Sequence, residues 1–261
     1  METQRHTRSS LESATKLGRA VVPNRAESSW LLTLYPGAAE AGGSLVSAVR
    51  PPARFPVEPE EDRAASEATR RARGQIRRYC AANRLNRLGT LTYRGDGCFD
   101  ARQLRGDLGE LFRRLRADLG QPFPYLWVPE WHPGGHGLHA HFAVGRYIAQ
   151  RRIEAAWGQG FVHIKQLSDL AVGSGSLGEA RLGAWYLAKY IGKDLGGASG
   201  GLHRYDVGQG FGPARKRLRG PTVEDVLGQA SAVMGGEPSY VWDSAAEPVW
   251  NRPHSVWARW A

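Results

Sequence analysis

Cysteine is nearly absent from this chain of 261 residues, which holds two, Cys80 and Cys98. Neither falls in a zinc-ligand spacing, and two scattered thiols make no disulfide framework, so a reducing cytoplasm is the expected setting. Long apolar runs are missing as well. None approaches the ~20 residues of a membrane-spanning helix, and the first residues lack the charged-then-apolar pattern of a secretory signal. The expectation is a soluble, cytoplasmic protein with no membrane partner. Acids are also in short supply, 25 against 35 Lys and Arg, for a formal net charge of +10. Between Thr69 and Gly95 there is no acid at all, while Arg70, Arg71, Arg73, Arg77, Arg78, Arg84, Arg87 and Arg94 stand there. An uncompensated run of this kind favours a phosphate-bearing partner, nucleic acid being the commonest.

What is present reads as an ordered series of elements in a chain long enough for one principal domain with extensions. Residues 1–60, with Pro-Gly, Gly-Gly and Pro-Pro breaks and a single short apolar run at Trp30–Leu34, read as a mostly disordered leader. A helix is expected from Glu60 to Asn83, a strand over Leu88–Tyr93, and a helix capped by Asp100 whose Leu104, Leu108, Leu111, Phe112, Leu115 and Leu119 share one stripe. Strands follow at Phe123–Glu130 and Leu138–Val144, joined through a turn at Pro133-Gly134-Gly135. A short helix at Arg152–Trp157 and a strand at Phe161–Lys165 complete the order β-α-β-β-α-β. That order predicts an α+β fold, a split β-α-β arrangement with helices on one face of an antiparallel sheet. After a small-residue loop at Gly173–Gly178, a helix is expected from Glu179 to Leu195. Residues 196–261 read as a glycine-rich linker and a basic, Trp-rich extension. That extension carries Arg215, Lys216, Arg217 and Arg219, then a helix near Val223–Val233. Its Trp242, Trp250, Trp257 and Trp260 either pack back on the core or stack on bases.

The chemistry concentrates in two places. In the strand Leu138–Val144 side chains alternate, so Leu138, Ala140, Phe142 and Val144 face one way while His139 and His141 face the other together. The preceding turn brings Glu130 beside them. One carboxylate and two imidazoles are a ligand set for a divalent metal that leaves coordination positions open for phosphate oxygens. Further on, at about 100° per residue, Tyr186, Tyr190, Lys189 and Lys193 share one helix face opposite Ala184, Leu187, Ala188, Ile191 and Leu195. If that tyrosine face meets the metal, a phenol oxygen can attack a DNA phosphorus, with Lys189 or Lys193 favouring phenolate or binding the phosphate. The alternative for the helix is a surface element with Tyr and Lys as amphipathic cover.

These residues resemble the HUH endonuclease superfamily, in particular the rolling-circle replication initiators of bacterial plasmids, phages and integrative elements. Thr90-Leu91-Thr92-Tyr93 is similar to the family's first motif, His139-Ala140-His141 to its second, and Tyr186-Leu187-Ala188-Lys189-Tyr190-Ile191-Gly192-Lys193 to its third. They follow the initiator order, which relaxases reverse. Arg204-Tyr205 to Gly210-Phe211 also looks like actinobacterial members. The resemblance implies an endonuclease domain over residues 61–195, Glu130, His139 and His141 as ligands of Mg²⁺ or Mn²⁺, and Tyr190, with Tyr186 second, as nucleophile. It further implies origin single-stranded DNA as substrate and a host helicase and polymerase as partners. An HUH-type transposase or mobilisation nickase is the near alternative. A non-haem iron oxygenase, which also uses two histidines and a carboxylate, and a non-catalytic nucleic-acid-binding module are the distant ones.

Overall fold

The computed structural model describes residues 28–47, 61–165, 175–191, 204–248, 250 and 252–261. The elements are β1 (Ser28–Tyr35), β2 (Glu40–Ser47), α1 (Glu61–Ala82), β3 (Arg87–Tyr93), α2 (Ala101–Leu119), β4 (Tyr125–Trp131), β5 (Leu138–Val144), α3 (Gln150–Trp157), β6 (Gly160–Lys165), α4 (Gly175–Ile191), β7 (Asp206–Val207), β8 (Lys216–Gly220), α5 (Val223–Met234), β9 (Tyr240–Asp243) and β10 (Ser255–Arg259). The α+β expectation holds, with two five-stranded antiparallel sheets rather than one. Among the described residues no helix is long and apolar enough to cross a membrane.

The first sheet has the order β6-β3-β5-β4-β7. Its β3-α2-β4-β5-α3-β6 portion is the split β-α-β series read from the sequence. Local signals account for its helices: Asp100 accepts from the Arg102 amide at the start of α2, and Gly120, at φ 69°, closes it. The expectation of helices on one face only is corrected. On one face α2 and α3 bury Leu104, Leu108, Phe112 and Trp157 against Trp127, Leu138, Ala140 and Phe142. On the other, α1 and α4 bury Ile76, Tyr79, Ala184 and Leu187 against Leu88, Leu126, Val128 and Ala143. Apolar side chains on both sides of β4 and β5 require cover on both sides.

The second sheet, of order β8-β1-β2-β10-β9, joins residues 28–47 to residues 216–259. The expectation of disorder up to residue 60 is thereby corrected for residues 28–47. Trp30, Leu32 and Leu34 alternate into a core with Val226, Ala230, Val256, Ala258 and Trp260. Pro36-Gly37 is the turn between β1 and β2, and Gly43 is a strand residue, because a Cβ there would lie 2.0 Å from the Leu31 carbonyl oxygen. The helix near Val223 forms as α5, opened by a reciprocal capping box between Thr222 and Asp225. Trp260 packs into the core, and Trp242 meets Trp250 edge-on, ring centroids 5.1 Å apart.

Polar contacts fasten this sheet to the first. The buried Glu40 carboxylate accepts twice from Arg77 of α1, at 2.7 and 3.1 Å, and lies 3.8 Å from Arg78. Arg181 of α4 donates to the carbonyls of Ala38, Ala39 and Trp260. Glu40→Ala is expected to lower unfolding stability by about 2 kcal/mol. That is below the ~3–5 kcal/mol of a fully buried broken pair, since Arg77 is 40% exposed. A lowered urea midpoint measures the loss.

Candidate metal centre

The hairpin of β4 and β5 sets Glu130 directly across from His139, with Val128 across from His141. Alternation turns Glu130, His139 and His141 to the face under α1 and α4, and all three are buried. Glu130 Oε2 lies 3.0 Å from His139 Nε2 and 2.8 Å from His141 Nε2, and the two nitrogens are 3.2 Å apart. Adjacent ligand atoms on an octahedral cation with bonds of about 2.1 Å stand about 3.0 Å apart. The three atoms therefore have the spacing of one triangular face around a divalent cation, and two of them are nitrogens that need a positive charge or proton between them at this separation. The donor set fits a metal of the Mg²⁺, Mn²⁺ or Fe²⁺ type.

A further partner orients the ligands. Thr90 Oγ1 is 3.0 Å from His141 Nδ1, and β3 holds it there because Thr90 is paired with His141 in the sheet. An imidazole engaged through Nδ1 presents Nε2 to the metal side. Thr90→Val keeps shape and loses this contact. It is expected to weaken Mn²⁺ binding about tenfold, read by titration calorimetry, with little change in fold.

The tyrosine helix meets this cluster. Tyr190 stacks on His141 with ring centroids 3.9 Å apart and planes at 16°, and Tyr186 approaches the same imidazole edge-on at 6.2 Å. The Tyr190 hydroxyl donates to the Tyr186 oxygen at 2.7 Å. Burial first, then Tyr186 and the negative charge of Glu130, raise the Tyr190 phenol above its usual range. The tyrosine face is thus turned toward the sheet, while Ala184, Leu187 and Ile191 fill the core beside it. The helix also starts earlier than expected, at Gly175 within the small-residue loop.

The lysines are arranged differently from the expectation. Lys189 is exposed, its ammonium 3.9 Å from the Trp185 ring centroid and 5.7 Å from that of Tyr186. Lys193 lies outside the described residues, as does the glycine-rich stretch 196–201. Among the described residues Lys165, at the end of β6, is the cation closest to a tyrosine of the site, its Nζ 4.0 Å from the Tyr186 ring centroid. Sequence reasoning missed Lys165 and Thr90 as site residues, since only the lateral order of the strands brings β3 beside β5 and β6 beneath α4.

The basic residues divide. Arg70, Arg71 and Arg73 are exposed on α1, with Arg73 donating to the Ala188 carbonyl of α4. Arg77, Arg78 and Arg84 turn to the second sheet, the first two to Glu40 and Arg84 to the Gly37 carbonyl. Arg87 lies over Tyr147, and Arg94 donates to the Gly158 carbonyl. Arg215, Lys216 and Arg217 are exposed, the last two on the edge strand β8. His132 stacks edge-on to His139 and His136 but donates nothing to the cluster; its Nδ1 accepts from the Gly134 amide.

Residues 86–195 match a family of replication-associated proteins, the ORF2 type. The match takes in β3 through α4, and with them Thr90, the Glu130, His139 and His141 cluster and both tyrosines. It leaves out α1 and the second sheet. No curated protein and no solved structure matches the chain.

Proposed function

We propose that the chain is a replication initiator that nicks single-stranded DNA at a replication origin by tyrosine attack and later rejoins the strand. The observation that carries this reading is the stack of Tyr190 on His141. It brings a phenol to a cluster built to hold a divalent cation, inside a stretch similar to replication-associated proteins. In this reading Glu130, His139 and His141 hold Mg²⁺ or Mn²⁺, and Thr90 fixes the His141 ring. The cation, when bound, supplies Lewis-acid stabilisation of charge on the scissile phosphate.

The protein's own residues do the rest. Tyr190 attacks phosphorus, its proton passing along the hydrogen bond to Tyr186 and on to solvent. The bond from phosphorus to the 3′-oxygen breaks, that oxygen takes up a proton, and the products are a 5′-phosphotyrosine and a free 3′-OH primer. Tyr186 is the second candidate nucleophile, and reversal of the same step rejoins the strand. Lys165 and Lys189 flank the Tyr186 ring, where positive charge offsets phenolate, and Lys193 is assigned the same role. Arg70, Arg71, Arg73, Arg215, Lys216 and Arg217 contact phosphates, and the arginines engaged within the protein, Arg77, Arg78, Arg84, Arg87 and Arg94, border the same path. The catalytic unit spans residues 61–195, works in the bacterial cytoplasm, and hands the primer to a host helicase and polymerase.

An iron oxygenase would use the same three ligands, but it leaves the paired tyrosines without a task. Incubation with origin single-stranded DNA and Mn²⁺ should give a protein-DNA adduct that survives a denaturing gel and disappears with EDTA. An adduct-free reaction in which O₂ is consumed with Fe²⁺ would favour the oxygenase.

A further inference from the structure

A cavity of about 510 Å³ opens where the two sheets meet, and its lining residues all lie outside the stretch that matches the replication family. Tyr35 comes from the end of β1, Gln75, Arg78 and Tyr79 from α1, and Tyr205, Gln209 and Arg215 from the segment between α4 and β8. The segment is pinned in place: Tyr79 donates to the Gly208 carbonyl at 3.0 Å, the Gly208 amide donates to the Tyr125 carbonyl at 2.9 Å, and Tyr205 donates to the Gln75 side-chain oxygen. The cavity is therefore built from ordered elements, and among the described residues no acid lines it.

Its chemistry is uniform. Three phenol rings offer flat apolar faces, and burial raises the Tyr79 and Tyr205 phenols, keeping them neutral. Two carboxamides offer paired donors and acceptors. The Arg78 guanidinium lies 4.8 Å from the Tyr35 ring centroid, while the nearby Glu40 carboxylate is spent mainly on Arg77 at 2.7 Å, against 3.8 Å to Arg78. Arg215 is exposed at the rim, and from it Lys216, Arg217 and Arg219 continue along the edge strand β8.

We propose that this cavity takes one unpaired nucleotide of DNA, its base against the tyrosines and its flanking phosphates on Arg215 and β8. Aromatic rings take any base face, amides read base edges, and a basic margin follows the backbone. A duplex keeps its bases stacked and cannot fill such a pocket, so the site selects single strand. Tyr125, against which the cavity segment is held, and the metal ligand Glu130 lie at opposite ends of β4, roughly 17 Å apart along the strand at the usual rise per residue. A strand occupying both would be gripped a few nucleotides from the scissile phosphate. The proposal rests on DNA being the substrate.

The test uses the full chain in EDTA, so that nicking does not intervene. Fluorescence anisotropy follows a labelled single strand of roughly 15 nucleotides and a blunt duplex of the same sequence. Gln209→Ala combined with Arg215→Ala changes exposed loop residues only, and Tyr35→Leu removes a ring. Each is expected to weaken single-strand binding about tenfold while duplex binding stays as in the parent. A 4-thiothymidine placed in the strand should crosslink to Tyr35 or Tyr205. Equal losses on single strand and duplex, or no loss, overturn the proposal. The same variants given Mn²⁺ separate it from the nicking reading. Adduct formation with parental single-strand affinity in the variants sinks the cavity alone. Cavity crosslinks in a parent chain that never forms an adduct sink the nicking reading alone.

Discussion

Replacing both Tyr186 and Tyr190 by phenylalanine is expected to abolish the protein-DNA adduct while leaving single-strand affinity within reach of the parent. The rings persist, so the stack on His141 and the packing under α4 survive. What disappears is the pair of hydroxyls joined at 2.7 Å. Without a nucleophile the covalent route is closed, a loss of about 10³-fold or more in adduct formation. The single variants then apportion the work. Tyr190→Phe should carry the larger defect because its ring lies flat on His141 at 3.9 Å, against 6.2 Å edge-on for Tyr186. Equal residual activity in both single variants would mean alternation between the two phenols, and an adduct in the double variant would remove tyrosine from the chemistry.

Glu130→Ala carries the other large effect. Glu130 Oε2 is the one anionic atom of the cluster and bonds both imidazoles, at 3.0 and 2.8 Å. Removing it leaves two neutral nitrogens to hold a dication, and Mn²⁺ affinity is expected to fall by about 100-fold or more, beyond the ~10–100-fold lost when a supporting partner of a ligand is removed. Titration calorimetry with Mn²⁺ reads this directly, and adduct formation should fall in parallel. The fold should persist, because buried Glu130 is replaced by a small apolar side chain between Val128 and Leu126 on one side and the imidazoles on the other. DNA binding in EDTA should be retained, since phosphate contacts come from exposed cations elsewhere.

The parts of this site legible in the sequence are those set by local geometry. A hairpin with a glycine turn places Glu130 opposite His139 by register alone, and the alternation of β5 turns both histidines to one side. A helical period groups Tyr186 with Tyr190. The burial of that face is not legible, because the residues covering it, Val128 of β4 and Lys165 of β6, come from elements separated in sequence. The continuous apolar character of β4 does carry a signal of two-sided burial, and it corresponds to the helices found on both faces. The second sheet is hidden for a different reason. Its central strands β1 and β2 pair with β8 and β10, far along the chain, and long-range pairing leaves no periodic trace. Gly42-Gly43 looks like a break, whereas the close backbone of Leu31 requires glycine inside a strand.

Glu40 shows the same limit at the level of single residues. A run of arginines without acids invites a phosphate-facing reading, yet Arg77 and Arg78 converge on a carboxylate from a distant strand. The charge that remains exposed sits on the first part of α1 and along β8.

The central claim is that a tyrosine brought to the Glu130, His139 and His141 cluster becomes covalently joined to DNA. Its most direct test is to react the full chain with a single-stranded DNA library and Mn²⁺, digest the DNA and the protein, and locate the modified peptide by mass spectrometry. The account predicts a nucleotide 5′-phosphate on Tyr190, or on Tyr186, formed with Mn²⁺ and lost in the Glu130→Ala chain. A phosphate on any other residue, or an adduct formed equally well without a divalent cation, would contradict it.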